Sequence, residues 1–164
     1  MNIPSLTIAA LFLAGTAAQA QGTSAHLGGK ATLAANPVVQ AAIESGIDVV
    51  MNDPETCADK NLDGSFVTYH NAAPDFVICV NNHATHAELS DTIRHEAHHA
   101  IVWCNRGKTF FTWDRNVALA SVGDIGIVVK HYDAHEHNEE LEARNVAKII
   151  SDEAVANKLR QFCM

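Results

Sequence analysis

The stretch DTIRHEAHHAIVWCNRGK, residues 91 to 108, carries the side chains best suited to chemistry. His95 and His99 are four residues apart, so on a helix they lie one turn apart on one face, where two imidazoles can hold one metal ion. Glu96 follows His95 and points toward the same ion without reaching it, so its carboxylate could take a proton from a water on the ion. The pattern predicts a hydrolytic metal site with one zinc ion per chain.

The competing interpretation is a polar stripe on a helix that faces solvent. The same segment also has an apolar flank for packing, formed by Ile93, Ala97, Ala100 and Ile101. Polar side chains beside a packed face need partners, because burial of unpaired polar groups costs free energy. His98 points about 100° away from His99. It could support the ligands or simply be exposed, and we favour an exposed side chain.

Two imidazoles do not complete the site, because catalytic zinc usually has three protein ligands and keeps a fourth position for water. The densest source of further ligands is HYDAHEHNEELEARNVAK, residues 131 to 148. On a helix, Glu140 shares a face with the small Ala143, so this helix could pack closely on its neighbour. Spacing alone leaves the third ligand open among the acids and histidines of this segment.

The run CVNNHATHAELSDTIRHEAHHAIVWCNRGK, residues 79 to 108, resembles the small metalloproteases of the mitochondrial ATP-synthase assembly type. That family has a strand with Cys and Asn, then a helix with Thr, H-E-x-x-H-Ala and a Cys followed by a basic residue. The matching residues here are Cys79, Asn81, Thr92, His95, Glu96, His99, Ala100, Cys104 and, after Asn105, Arg106.

More broadly, the chain is similar to the glutamate-zincins, whose third ligand often lies in a pattern E-x-x-A on a downstream helix. The letters ELEA that begin at Glu140 match this pattern, so the resemblance implies Glu140 as the third ligand. Glu139 comes second, because NEELEA also resembles the Asn-Glu start of another glutamate-zincin pattern. His135 or His137 comes next. The family often has an acid or Asn directly after the Ala, whereas this chain has Arg144.

The expected activity is hydrolysis of a peptide bond. Glu96 would accept a proton from the zinc-bound water and deliver it to the leaving amine. The resemblance also implies a donor to the oxyanion, for which Tyr132, His135 and His137 are candidates. Because so short a chain leaves little material for a long cleft, we expect the substrate to be a peptide, an unfolded protein segment or one specific partner.

Two other functions fit the same residues. The chain could be an exported protein that binds zinc without catalysis, or a structural domain that keeps the motif but lacks a cleft. Glu96 favours the enzyme, because a protein that only binds zinc needs no base between its ligands.

The elements that position the site are predicted to form one α+β domain over residues 36 to 164, mostly helical and zincin-like. Asn36 caps an amphipathic helix that is predicted to run to Met51. SFVTYH and DFVICV then predict an antiparallel hairpin before the metal-binding helix. Ser90 is expected to cap that helix, which would run to about Cys104.

The remainder of the chain is predicted to be helical. Residues 115 to 130 favour a helix despite two glycines, and residues 134 to 150 and 152 to 162 favour two more.

The first twenty residues, MNIPSLTIAALFLAGTAAQA, have no charged side chain and end in a small-x-small pattern, which predicts signal cleavage before Gln21. Their apolar core is shorter than the roughly 20 residues of a bilayer span. Residues 21 to 35 would be a loose leader. We therefore expect export to the periplasm or beyond the cell, with no membrane contact after cleavage. The net charge of −8 disfavours nucleic acid as a partner.

Four cysteines in an exported chain predict two disulfides. Sequence cannot choose among the three pairings, and we favour Cys57 with Cys79 and Cys104 with Cys163. The first would tie a loop to the hairpin, and the second would tie the last helix to the end of the metal-binding helix. A cysteine zinc site is disfavoured, because no two cysteines have the C-x-x-C spacing.

Overall fold

The computed structural model describes residues 33 to 164, which form a mostly helical α+β domain with one small sheet. The predicted fold class is therefore confirmed. The predicted signal, residues 1 to 20, and the leader as far as residue 32 lie outside the described residues. Leu33 is only 2 % exposed, so packing extends at least to that residue. Within the described range, no helix has the length and hydropathy needed to cross a bilayer.

The first helix, α1 (Pro37–Glu44), begins as predicted, because the Asn36 side chain accepts hydrogen bonds from two amides of its first turn. The prediction that it continues to Met51 is wrong. The chain turns at Gly46, whose φ of +76° is a conformation that costs glycine little. Asp48–Met51 then form strand β1, where the β-branched side chains favour a sheet over a helix.

Strands β2 (Gly64–Val67) and β3 (Asp75–Ile78) form the predicted antiparallel hairpin, with Phe66 opposite Phe76. Strand β1 pairs with β3 in parallel, a pairing that the sequence had not indicated. The order β1-β3-β2 leaves β2 at one edge of this mixed sheet.

Helix α2 (His86–Cys104) carries the H-E-x-x-H motif and begins earlier than predicted. Its N-cap is Thr85, which forms a capping box with Glu88, whereas Ser90 lies inside the helix. The Thr-x-x-Glu spacing was available in the sequence as a signal for this start. The helix ends before Gly107, whose φ is +74°.

The segment predicted as one helix over residues 115 to 130 is two helices, α3 (Trp113–Leu119) and α4 (Val122–His131). The break falls at Ser121, whose side chain accepts a hydrogen bond from the backbone amide of Asp124 and so caps α4. Helices α5 (His137–Ile149) and α6 (Asp152–Cys163) form as predicted. Helix α2 packs against both α5 and α6, and α1 packs against α6.

Both favoured disulfides, Cys57–Cys79 and Cys104–Cys163, are present, and the chain has no free cysteine. Two disulfides fit an oxidising compartment and hence export. The second one fastens the end of α2 to the end of α6, so it holds the motif-bearing helix against the core.

Loss of either disulfide should lower the free energy of unfolding by about 2–5 kcal/mol. The sequence separations are 22 and 59 residues. Loop entropy therefore predicts that the Cys104→Ser/Cys163→Ser variant loses about 1 kcal/mol more than Cys57→Ser/Cys79→Ser. Urea unfolding of both double variants measures this difference. Four alkylatable thiols in the native parent protein would contradict the pairing.

Candidate metal centre

Three side chains from two helices converge on one point: His95 and His99 from α2 and Glu140 from α5. The two imidazole Nε2 atoms lie 3.2 Å apart. Glu140 Oε1 lies 3.3 Å from His99 Nε2, and Glu140 Oε2 lies 3.6 Å from His95 Nε2. Ligands about 2.1 Å from a tetrahedral ion lie about 3.4 Å from one another, so these spacings fit one shared ion.

Close packing of the two helices makes this convergence possible. His95 and His99 project from one face of α2 because they are one turn apart. On α5, the neighbouring Ala143 is fully buried. A small side chain at this position lets α5 approach α2 closely enough for the Glu140 carboxylate to reach both imidazoles.

One buried atom of the cluster has no hydrogen-bond partner among the residues that the structure describes. Glu140 Oε2 is buried and accepts no hydrogen bond. Such an atom costs roughly 1–3 kcal/mol, and more when it carries charge. A cation between the two imidazoles and this carboxylate would compensate it. The cluster could therefore hold a metal ion on the grounds of its donor types, its spacing and its unpaired oxygen.

Glu139, the second candidate for the third ligand, instead contacts His99 at Nδ1, the ring nitrogen that does not face the cluster. Its Oε1 lies 2.8 Å from His99 Nδ1. A proton on Nδ1 that is donated to this carboxylate leaves the Nε2 lone pair free for a metal. Burial alone would lower the pKa of His99, but the Glu139 hydrogen bond and the Glu96 and Glu140 charges outweigh it and raise the pKa.

The histidines considered as third ligands do not belong to the cluster. Among the residues that the structure describes, only His95, His99 and Glu140 meet the spacing of a metal site. His135 is exposed. His137 Nε2 donates a hydrogen bond to the Tyr132 carbonyl, 3.0 Å away.

Glu96 is buried beside the cluster but is not one of its three donors. Burial raises the pKa of its carboxyl group, and the neighbouring His95 and His99 act in the opposite direction. Strand β2 comes close to it through Gly64. A Cβ at that glycine would lie 2.9 Å from Glu96 Cγ and 2.8 Å from Thr92 Cγ2, so a larger residue would displace the proposed base.

A cavity of about 240 Å³ lies against the cluster, between α2, α5 and the start of β2. His95 and Glu96 line it from α2, Arg144 lines it from α5, and Tyr132 lines it from the position directly after α4. Burial and the Glu140 charge raise the pKa of Tyr132, whereas Arg144 acts to lower it. Of the three candidate oxyanion donors, Tyr132 is the one that lines this cavity.

The interpretation of His98 as an exposed side chain is wrong. It is only 1 % exposed and packs near Phe110. Burial, followed by the charges of His99, His95 and Lys158, lowers its pKa to about 3. Helix α2 is covered on more than one side, and the spacing of a single helix cannot reveal this.

Two further residues support the site, although the H-E-x-x-H motif gives no indication of them. Glu142 accepts hydrogen bonds from the backbone amides of Phe110 and Phe111, which anchors the loop after α2 to α5. Arg94 donates to the Ala147 carbonyl at the end of α5 and to Asp152 at the start of α6. These bonds fix α2 relative to the helix that supplies Glu140.

Residues 33 to 164 match a family model described as a domain of unknown function (DUF8637). The chain belongs to this family. The match covers both helices that carry the cluster. No curated protein and no solved structure matches the chain. Membership of the DUF8637 family assigns no activity to the chain.

If the cluster holds a metal, the protein should bind about one divalent ion per chain with high affinity. His95→Ala and His99→Ala should abolish this binding. Glu139→Gln should weaken it on the order of 10- to 100-fold, because the carboxylate that orients His99 is lost. Glu153→Gln is the matched control, since Glu153 is exposed on α6. Elemental analysis and chelator competition measure the occupancy.

Full occupancy in both histidine variants would rule out this site. Equal affinities for Glu139→Gln and Glu153→Gln would show that Glu139 does not support the ligand.

Proposed function

We propose that the protein is an exported zinc-dependent peptidase in which Glu96 is the general base. The observation that carries the proposal is the position of Glu96. Its carboxylate is buried at the wall of the cavity, directly beside the cluster, yet it is not needed as a ligand. A site that only stored metal would gain nothing from a further buried acid that is not a ligand.

The donor set supports zinc. Two imidazoles and one carboxylate are a ligand set of catalytic zinc, which keeps a fourth position free. A bound zinc ion would supply Lewis-acid chemistry, because it lowers the pKa of a coordinated water and polarises a carbonyl group. The cluster likewise offers three protein donors. Beside it, His95 and Glu96 line the cavity, which leaves room for a water at the fourth position.

Glu96 would move the proton. Burial raises the pKa of this carboxyl group, and positive charge at the ligands acts against burial. A cation in the cluster would therefore keep the carboxylate ionised and able to accept a proton from water in the cavity. The same group would then deliver that proton to the leaving amine, which closes the proton balance of hydrolysis.

Tyr132, which lines the same cavity as Glu96, would support the reaction. Its hydroxyl keeps its proton at neutral pH, because burial and the Glu140 charge both raise its pKa. A neutral phenol beside the cavity can donate a hydrogen bond to the oxygen that gains charge during attack on a carbonyl. This assigns the oxyanion role to Tyr132 rather than to His135 or His137.

The shape of the site favours a short stretch of extended peptide as substrate. About 240 Å³ is small for a ligand cavity, so it has room for only a few groups near the cut bond. Strand β2 is at the sheet edge, and Gly64 at its start lines the cavity. An extended peptide could pair with that edge and pass over the cluster. Peptides and unfolded protein segments meet this requirement.

The two disulfides support action in the periplasm or outside the cell.

The decisive test replaces Glu96 by Gln, which keeps size and polarity but removes the base. Zinc content should stay near that of the parent, because the three ligands are untouched. Cleavage of a reduced, alkylated protein such as casein should fall on the order of 10²-fold or more. Glu140→Ala should instead lose zinc and activity together, and Glu153→Gln should match the parent. Zinc analysis and proteolysis assays are run on the same preparations.

Cleavage by Glu96→Gln at the parental rate would refute the catalytic role. If the parent holds zinc tightly and cuts none of a broad set of peptides, the protein is a non-catalytic zinc binder instead.

A further inference from the structure

Arg144 lines the same cavity as His95, one of the proposed zinc ligands, and Glu96. It lies one helical turn after Glu140 on α5, about 6 Å further along the helix axis. The two side chains therefore share a face, so the guanidinium lies within a short reach of the cluster. In the resembled family an acid or Asn often stands at this position, so that pattern does not account for Arg144.

The charge of Arg144 is only partly compensated within the protein. It acts to lower the pKa of both Tyr132 and Glu140, so these two groups lie near it. Its nearest carboxylate is that of Asp124, where Nη1 lies 3.9 Å from Oδ1. Asp124 is already engaged at closer range by the Lys148 ammonium, 2.5 Å away, and by the Ser121 hydroxyl. In addition, Arg144 Nε is buried and has no hydrogen-bond partner in the part of the chain that the structure describes. A guanidinium has five N–H donors, so several remain for a ligand in the cavity.

Apart from His95 and Glu96, which belong to the candidate site itself, the other charged groups around the cavity are better compensated. Lys148 is paired with Asp124, and Asp91 is paired with Arg94. Asp63 is largely exposed to water, which screens its charge. Arg144 is therefore the cation through which this cavity would attract an anionic group.

We propose that Arg144 is a specificity-determining residue that binds a carboxylate of the substrate close to the bond that is cut. This inference rests on the proposed peptidase function. A planar guanidinium binds a carboxylate through two parallel hydrogen bonds, which favours it over a neutral amide. An extended peptide rises about 3.3 Å per residue, so a reach of about 6 Å places the carboxylate within two residues of the cut bond.

The carboxylate has two possible sources: the C-terminus of a peptide, or the side chain of Asp or Glu within it. Four synthetic probes separate them. One pair is acetyl-Ala-Phe-Ala with a free C-terminus and the same peptide as its amide. The other pair is acetyl-Ala-Phe-Glu-Ala-amide and its twin with Gln in place of Glu. Within each pair only the carboxylate differs.

The first measurement is kcat/KM of the zinc-loaded protein for all four probes. The parent should prefer the charged member of at least one pair, and that pair identifies the source. Arg144→Gln should lose on the order of 10- to 100-fold on the charged probe and little on its neutral twin. Arg144→Lys should retain part of the preference. Arg160→Gln is the matched control, because Arg160 forms a surface ion pair with Glu44 on the other side of α6.

The second measurement is binding of the same probes to Glu96→Gln protein, with and without Arg144→Gln, by calorimetry. It reports recognition without turnover, and thermal melts confirm that each variant is folded. The inference is supported if the variant lacking Arg144 binds the charged probe more weakly but binds the neutral probe unchanged. If the parent cuts no probe but this dependence is seen, the peptidase proposal fails and Arg144 stands as a carboxylate-binding residue.

Two results would overturn the inference while the peptidase proposal stands. The parent could cut charged and neutral twins equally fast. Alternatively, both Arg144 variants could be folded yet slow the charged and neutral probes by the same factor, which would show that Arg144 only positions Glu140 or Tyr132.

Discussion

The contact between α2 and α5 is the constraint on which the site depends. It places three carboxylates, those of Glu96, Glu139 and Glu140, around two imidazoles whose side chains are only 16 % and 14 % exposed. Negative groups that are gathered in this way repel one another unless positive charge is close. Protonated imidazoles can supply part of it, but within residues 33 to 164 Glu140 Oε2 still accepts no hydrogen bond. A divalent cation bound by the cluster would both balance the charges and satisfy that oxygen.

The rest of the fold keeps this contact in register. Arg94 joins α2 to the end of α5 and the start of α6, and Cys104–Cys163 closes the other end of α2 onto α6. The hairpin completes the arrangement, because Gly64 lets β2 reach Glu96. Loop closure, charged hydrogen bonds and close packing thus act on one helix, whose orientation decides whether His95 and His99 face Glu140.

The parts that could be predicted from sequence were set by local spacing. His95, Glu96 and His99 lie on one helix, so helix periodicity already places them together. Glu140 lies on another helix, and it was favoured only through a family resemblance. The end of α1 at Gly46 and the start of α4 at Ser121 were missed, because hydrophobic periodicity continues through both breaks. The burial of His98 and the cavity position of Arg144 arise from helix packing, which no local pattern encodes.

The proposed function requires one zinc ion bound by His95, His99 and Glu140 while Glu96 stays free as a base. Anomalous diffraction at the zinc edge from crystals of the zinc-loaded protein locates the ion. We expect a single strong peak about 2.0–2.2 Å from both Nε2 atoms and from a Glu140 oxygen, with Glu96 outside ligand distance. A peak held by Glu96 or Glu139 in place of Glu140, or one located away from His95 and His99, would contradict it.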